Sequence, residues 1–159
     1  GKRGEAADFA RMHLGSNLER MVRSCSKPIL VASRSFKPIE RVLIAYDGRA
    51  SSRKAVEAVG THPLFKNVAV TLLMVGEKSA DAEQMLNEPT TALSNAGMNV
   101  TAELVEGQPV EIISERASSD AFDMLVMGAF GGGRLRSMFI GSTTTEMLIS
   151  CRVPVLLYR

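Results

Sequence analysis

Short apolar runs alternate with helical patterns along residues 41–159, and this alternation constrains the fold more than any other feature of the chain. Residues 42–46 and 68–75 are predicted strands, and residues 51–59 between them place apolar side chains at helical spacing. The same order continues with predicted strands at 98–104, 122–127 and 153–158. Alternating strands and helices form βαβ units with right-handed crossovers. The sequence therefore predicts an α/β fold, with an open parallel sheet of five strands and helices on both faces.

A glycine-rich loop connects the fourth predicted strand to the last predicted helix. It lies in residues 127–142, with the sequence MGAFGGGRLRSMFIGS. Loops at this position often bind phosphates, because free backbone N–H groups and the helix dipole attract anions. The spacing matches neither a P-loop nor the dinucleotide fingerprint. Ser142 ends the loop and Thr143 follows it, and their hydroxyl groups fit either a phosphate contact or a simple helix cap.

These features resemble the universal stress protein family at four ordered places. The matching segments are VLIAYDGRASSRKAVEAV, VEGQPVEIISERASSDAFDMLVMGAFG, the glycine spacing of the loop, and GSTTTEMLISCRVPVLLYR, within residues 41–159. The resemblance implies a Rossmann-like fold of the adenine-nucleotide α-hydrolase-like type, with the strand order 3-2-1-4-5. In that order the loops after the first and fourth strands flank the switch point where ligands bind.

The resemblance also implies ATP as the ligand, with Mg²⁺ as an accompanying ion and with no metal-binding side chains of the protein's own. The Asp47 carboxylate would accept hydrogen bonds from ribose hydroxyls, although Asp-Gly is also a common turn sequence. Backbone groups at Val75 would bind the adenine, and the loop would bind the phosphates. The expected nucleotide-binding residues are Ala45, Tyr46, Asp47, Val75, Met127, Gly128, Gly131, Gly141, Ser142 and Thr143.

The first part of the chain contains a partial repeat of its end. Residues 15–33 match residues 141–159 at a constant offset, with the identities Gly15/Gly141, Ser16/Ser142, Met21/Met147, Ser24/Ser150, Cys25/Cys151, Pro28/Pro154 and Leu30/Leu156. We expect residues 1–34 to be the closing helix and strand of a first universal stress domain. Residues 35–40 would then be a linker, and residues 41–159 a complete second domain of a tandem protein.

The resemblance further implies that last strands pair in an antiparallel manner about a local twofold axis. Residues 27–33 are therefore expected beside residues 153–159. The partner strand would come either from the same chain, as an intramolecular pseudo-dimer, or from a second copy in a homo-oligomer.

Composition excludes several other classes of protein. No run of 18 apolar residues exists, so no membrane span is expected, and the two histidines lack the spacing of zinc ligands. Residues 1–38 carry eight Lys/Arg against three Asp/Glu, but the pattern favours a solvated helix face over a nucleic-acid site. Cys25 and Cys151 are interpreted as small core residues of a reducing compartment, which predicts a cytoplasmic protein.

No catalytic constellation is visible in the sequence. Neither histidine lies near the expected site, and the segment after the first strand, YDGRASS, lacks the signatures of related folds that perform chemistry on adenine nucleotides. We therefore expect an ATP-binding regulator of a stress response without a dedicated catalytic activity. Two alternatives remain open: an interaction module that needs no nucleotide, and a weak ATPase or autophosphorylating protein.

Overall fold

The computed structural model describes residues 21, 24–33, 37–119, 121–128 and 151–159. Within these ranges the chain forms six strands, three α-helices and one 3₁₀ turn. The strands are β1 (Ile29–Val31), β2 (Arg41–Ala45), β3 (Ala69–Val75), β4 (Asn99–Val105), β5 (Met124–Gly128) and β6 (Val155–Tyr158). The helices are α1 (Ala50–Thr61), α2 (Ala80–Asn95) and α3 (Pro109–Ser118), and the 3₁₀ turn is Pro63–Phe65.

Local sequence signals explain where the helices begin. The Ser79 hydroxyl accepts a hydrogen bond from the Ala82 N–H at 3.2 Å, which caps α2, and Asp81 and Glu83 lie in its first turn, near the positive end of the helix dipole. Pro109 occupies the first turn of α3, where its missing N–H group costs nothing.

The sheet has six strands in the order β1-β6-β5-β2-β3-β4. Neighbouring strands from β6 to β4 are parallel, whereas β1 is antiparallel to β6. The complete sheet therefore differs from the prediction in its number of strands and in its full order, whereas its five parallel strands alone follow the predicted order 3-2-1-4-5. The physical reason is that β1 covers the outer edge of β6, whose backbone N–H and C=O groups would otherwise lack partners.

The β1–β6 pair confirms the predicted antiparallel contact between residues 27–33 and 153–159. Leu30 lies opposite Leu156, and Ile29 and Val31 lie opposite Leu157 and Val155. Leu30 and Leu156 are also equivalent positions of the internal repeat. The register therefore relates the two strands by a local twofold axis through this pair, and both strands come from the same chain.

Two apolar layers bury the sheet on its two faces. One layer joins α3, through Ile113 and Ala117, to strand residues such as Leu43 and Leu125. The other layer joins α1 and α2 to the alternate strand residues, which include Val42, Ile44, Val70, Leu72 and Val126. Because both faces are covered, the central strands are almost continuously apolar, as is typical of parallel sheets.

The amino ends of β2 and β5 are joined by a polar contact at the edge opposite the cavity described below. The Asp123 carboxylate accepts hydrogen bonds from the Arg41 N–H at 2.9 Å and from the Arg41 guanidinium at 3.1 Å. Burial alone would raise the pKa of Asp123, but the hydrogen bonds from Arg41 and from the Glu40 N–H outweigh it and hold this pKa below its ordinary value.

Two further expectations can be compared with the structure. Cys25 and Cys151 are free thiols, and both are half-buried, so neither is a fully buried core residue. In the ranges that the structure describes, no helix has the length and apolar character needed to cross a membrane.

Candidate functional site

The carboxyl ends of β2, β3 and β5 meet at one edge of the sheet. Ala45, the last residue of β2, pairs with Leu73 of β3 on one side and with Met127 of β5 on the other. The Tyr46 N–H then donates to the Leu73 carbonyl at 2.8 Å, which holds the chain beside β3 for one more residue. From β2 the chain continues to β3 on one side, and from β5 it continues to β6 on the other side. Such a switch point opens a crevice for ligands in α/β folds.

A cavity of about 680 Å³ lies at this edge. Its walls come from the ends of β2 and β3, from Met85 on α2 and from the loop between β4 and α3. The volume falls within the range that small-molecule sites usually have. Four of the residues expected from the sequence line this single cavity, namely Ala45, Tyr46, Asp47 and Val75.

Asp47 organises the start of α1 with one of its two carboxylate oxygens. The Ser52 hydroxyl donates to Asp47 Oδ1 at 2.7 Å, and the Arg49 N–H donates to the same oxygen at 3.1 Å. The second oxygen, Oδ2, lies 3.8 Å from Arg49 Nε and keeps acceptor capacity. Asp47 is therefore a turn residue through Oδ1, while Oδ2 is available to accept a hydrogen bond from a ligand in the cavity.

Arg49 belongs to the cavity wall, although the sequence analysis did not select it. It is the N-cap residue of α1 and has extended backbone angles. Its N–H also donates a hydrogen bond to the hydroxyl oxygen of the buried Ser52, at 3.1 Å. Its Nη1 atom is buried and has no hydrogen-bond partner among the described residues. A buried donor without an acceptor costs about 1–3 kcal/mol, so this nitrogen is suited to an acceptor supplied by a ligand. The only sequence signal for it is an arginine directly after the Asp-Gly turn.

The β4–α3 loop forms the opposite wall of the cavity and was also missed by the sequence analysis. The Gly76 N–H donates to the Val105 carbonyl at 3.0 Å, which brings the end of β3 against this loop. Gly107 has a φ of +143°, a conformation that side chains rarely adopt, and Gln108 follows it in the cavity wall. Val75, at the end of β3, thus lies between the Asp47 turn and the Gly107 turn.

Gly128 has a packing role that the sequence analysis did not predict. A Cβ atom on Gly128 would lie 2.7 Å from both the Ser51 hydroxyl oxygen and the Ser52 backbone nitrogen. The end of β5 therefore approaches the start of α1 too closely for any other residue. Met127 beside it is completely buried in the core layer under α3. Neither residue lines the cavity, and the other expected residues, Gly131, Gly141, Ser142 and Thr143, lie outside the described residues.

The chemistry of the cavity wall fits a nucleotide better than a metal ion. Leu73, Val75 and Ile113 supply apolar surface for a base, Asp47 supplies an acceptor, and Arg49 supplies a cationic donor. The ranges described by the structure contain no group of three His, Cys, Asp or Glu side chains that could hold a metal. Residues that would hold a nucleotide here are therefore Asp47, Arg49 and the backbone around Val75.

Comparisons with known proteins agree with this fold. The model of the universal stress protein family matches residues 61–159. The universal stress protein Slr1230 of Synechocystis is 40% identical over 161 residues, a match that covers 100% of this chain and 56% of that relative. The chain thus spans little more than half the length of this relative.

Solved structures show the same architecture at low sequence identity. A universal stress protein from Archaeoglobus fulgidus has a TM-score of 0.72 at 20% identity, over 89% of this chain and 52% of that chain. A universal stress protein solved in complex with cAMP has a TM-score of 0.63 at 23% identity, over 77% of this chain and 98% of that chain. On the family match and the 40% identical relative, the chain belongs to the universal stress protein family.

Proposed function

We propose that the cavity at the carboxyl edge of the sheet binds an adenine nucleotide, with ATP and Mg²⁺ as the expected form, and that binding regulates a stress response. The observation that carries this proposal is the meeting of Asp47, Arg49 and Val75 around one cavity of about 680 Å³ at the switch point. A related fold has been solved in complex with cAMP, which supports a nucleotide as the class of ligand.

Each part of the nucleotide has a suitable group in the proposal. The backbone at Val75 would bind the adenine, and Asp47 Oδ2 would accept from a ribose hydroxyl. The unpaired Arg49 Nη1 would donate to an acceptor on the sugar or the phosphates. Gly131, Gly141, Ser142 and Thr143 are assigned to the phosphates by the resemblance of the loop to the family, since they lie outside the described residues.

The regulatory mechanism follows from linkage. A nucleotide that binds one conformation or assembly better than another shifts the population towards it by the difference in binding free energy. The proposal requires no catalytic residue, because the bound nucleotide itself biases the equilibrium. A cytoplasmic location is part of the proposal, as expected for a protein that senses a cellular nucleotide.

Equilibrium dialysis with radiolabelled ATP and Mg²⁺ tests the proposal. The unmodified chain should retain ATP, and a variant with Gly131→Val and Gly141→Val should not, because backbone approach to the phosphates is lost. Retention of ATP by both proteins would show that the loop is not part of the binding site. If neither protein retains ATP, the nucleotide-independent interaction module is the better description.

Chromatography of the same dialysate separates binding from turnover. The proposal predicts that the bound nucleotide remains ATP. Conversion to ADP that disappears in an Asp47 variant would instead support the weak ATPase, and label transferred to the protein would support autophosphorylation.

A further inference from the structure

A second cavity lies between the two helices that cover one face of the sheet. We call it the α1–α2 groove, and its volume is about 280 Å³. Its apolar lining comes from Val56 and Gly60 on α1, from Pro89, Ala92 and Leu93 on α2, and from Tyr46. An engineered cavity of about 150 Å³ is enough to bind benzene, so the groove has room for one aromatic ring with a short substituent.

Tyr46 supplies a hydroxyl group without a protein partner to this groove. The residue is 4% exposed and packs in the core layer of α1 and α2, while its hydroxyl keeps access to solvent and has no hydrogen-bond partner in the part of the chain that the structure describes. Arg53 and Glu88 also line the groove, and their charges change the pKa of Tyr46: Arg53 lowers it and Glu88 raises it. Burial raises the pKa of Tyr46, and Arg53 opposes this only in part, so the hydroxyl is a proton donor at neutral pH.

The charges around the groove argue against an anionic ligand. Arg53 Nη1 lies 3.6 Å from Glu88 Oε2, and Arg53 Nε donates to the Gly48 carbonyl at 2.8 Å, so the cation already has partners. Glu57 adds a further negative charge to the lining. A carboxylate or phosphate would meet this net negative charge beside apolar walls, whereas a neutral molecule would not.

We propose that the α1–α2 groove binds a small neutral aromatic molecule with one hydrogen-bond acceptor, which receives the Tyr46 hydroxyl proton. The apolar walls would hold the ring, and the acceptor would take the place of solvent at the Tyr46 hydroxyl, which no described residue binds. Of the six apolar lining residues named above, only Tyr46 also lines the nucleotide cavity. The inference therefore does not depend on the proposed nucleotide function.

Amide NMR titrations of the whole 159-residue chain with two probes test the groove. Acetophenone carries a carbonyl acceptor, and ethylbenzene has a similar shape without one. Acetophenone should shift the amides of Thr61, Leu93 and Ala96, and should bind about fivefold to tenfold more tightly than ethylbenzene, as expected for one neutral hydrogen bond.

Two substitutions test separately the hydrogen bond from Tyr46 and the volume of the α1–α2 groove. Tyr46→Phe keeps the ring and removes the hydroxyl. The affinity of this variant for acetophenone should therefore be as low as its affinity for ethylbenzene. Gly60→Leu should abolish the binding of both probes, since a Cβ at Gly60 already lies 3.3 Å from the movable end of Leu93. If Gly60→Leu does not give a folded spectrum, Ala92→Leu fills the groove from the exposed side of α2 instead.

The proposal is overturned by any of three results. These are equal affinities of the two probes for the unmodified chain, acetophenone binding that survives the filled groove, and shifts that map to another part of the molecule. A Tyr46→Phe variant that keeps the preference for acetophenone would likewise remove Tyr46 as the recognition group.

Discussion

Asp47 shows how one side chain serves both the fold and the site. Its Oδ1 atom accepts hydrogen bonds from the Ser52 hydroxyl and from the Arg49 N–H, and these bonds fix the turn into α1. Among the described residues, its Oδ2 atom has only the distant Arg49 Nε, at 3.8 Å, and Asp47 lines the cavity. A substitution that removes the whole carboxylate therefore changes stability and binding together, whereas an isosteric amide separates them.

Asp47→Asn should weaken ATP binding while the stability of the fold is kept. The amide oxygen can still accept from Ser52 and Arg49, but an NH₂ group replaces Oδ2 and cannot accept from a ribose hydroxyl. We expect a loss of about 1.5–3 kcal/mol in binding, or roughly tenfold or more in affinity. Equilibrium dialysis and thermal unfolding measure the two effects. Unchanged affinity would show that Asp47 is a turn residue alone.

Gly128→Ala should destabilise the protein because the added Cβ meets fixed backbone. The nearest atoms would be the Ser51 hydroxyl oxygen and the Ser52 nitrogen, both at 2.7 Å. Overpacking of this kind costs about 1–3 kcal/mol. Gly76→Ala is the matched control at the end of β3, since a Cβ there has no atom within 4 Å. Urea unfolding should therefore separate the two variants, and equal stabilities would contradict the close packing of β5 on α1.

At the scale of elements, the β1–β6 pair extends the sheet by one strand. Ile29 and Val31 pack against the core layer under α3, while Leu30 between them is 56% exposed. The period of two means that only alternate side chains of β1 contribute to burial. The pairing thus rests on backbone hydrogen bonds and on two inward side chains.

Substitutions at neighbouring positions of β1 test this arrangement. Val31→Asp places a charge against the apolar layer and should lower the free energy of unfolding by about 1–3 kcal/mol. Leu30→Asp makes the same chemical change on the exposed side and should stay within about 0.5 kcal/mol of the unmodified protein. Chemical denaturation of both variants measures the difference. Similar losses at the two positions would mean that β1 does not dock in this register.

The contact between Asp123 and Arg41 should make stability depend on pH in the acid range. The pKa of Asp123 is lowered in the folded protein, so its stabilising effect is complete above the unfolded pKa of about 3.9. The effect is lost as the pH falls from there through the lowered folded pKa. Asp123→Asn should be less stable at neutral pH and should show a flatter dependence below pH 4, by urea unfolding at several pH values. Parallel curves for the two proteins would rule out this role.

At the scale of the whole molecule, the strands and helices that the structure describes in residues 41–128 and 151–159 were predictable because their signals are local. The apolar runs, the Ser79 cap and Pro109 at a helix start all act over a few residues. The place of β1 in the sheet depends on a contact between residues more than 120 positions apart, which the repeat and the family resemblance indicated together.

The candidate site was predictable only where one strand end carries a distinctive residue, as at Asp47. Gly107 and Gln108 reach the cavity through the parallel register of β3 and β4, and no local pattern encodes that approach. Arg49 became a candidate only through the burial of its Nη1 atom. Tertiary contacts set these positions, and the spacing of apolar residues predicts secondary structure but not tertiary contacts.

The local twofold of β1 and β6 bears on the organisation of the molecule. Leu30 and Leu156, which are equivalent in the repeat, face each other directly in the sheet. The division of the chain into two universal stress repeats stays a prediction. The cavity at the carboxyl edge of the sheet is lined by residues between Ala45 and Ile113 among those that the structure describes.

Calorimetric titration of the unmodified protein with ATP and Mg²⁺ is the most direct test of the proposed nucleotide site. Such a site predicts saturable heat with one nucleotide per chain. It also predicts that ATP at one hundred times its Kd stabilises the fold by about 2.7 kcal/mol, visible as a rise in Tm. Absence of both binding heat and thermal stabilisation at millimolar ATP would contradict a nucleotide site at the carboxyl edge of this sheet.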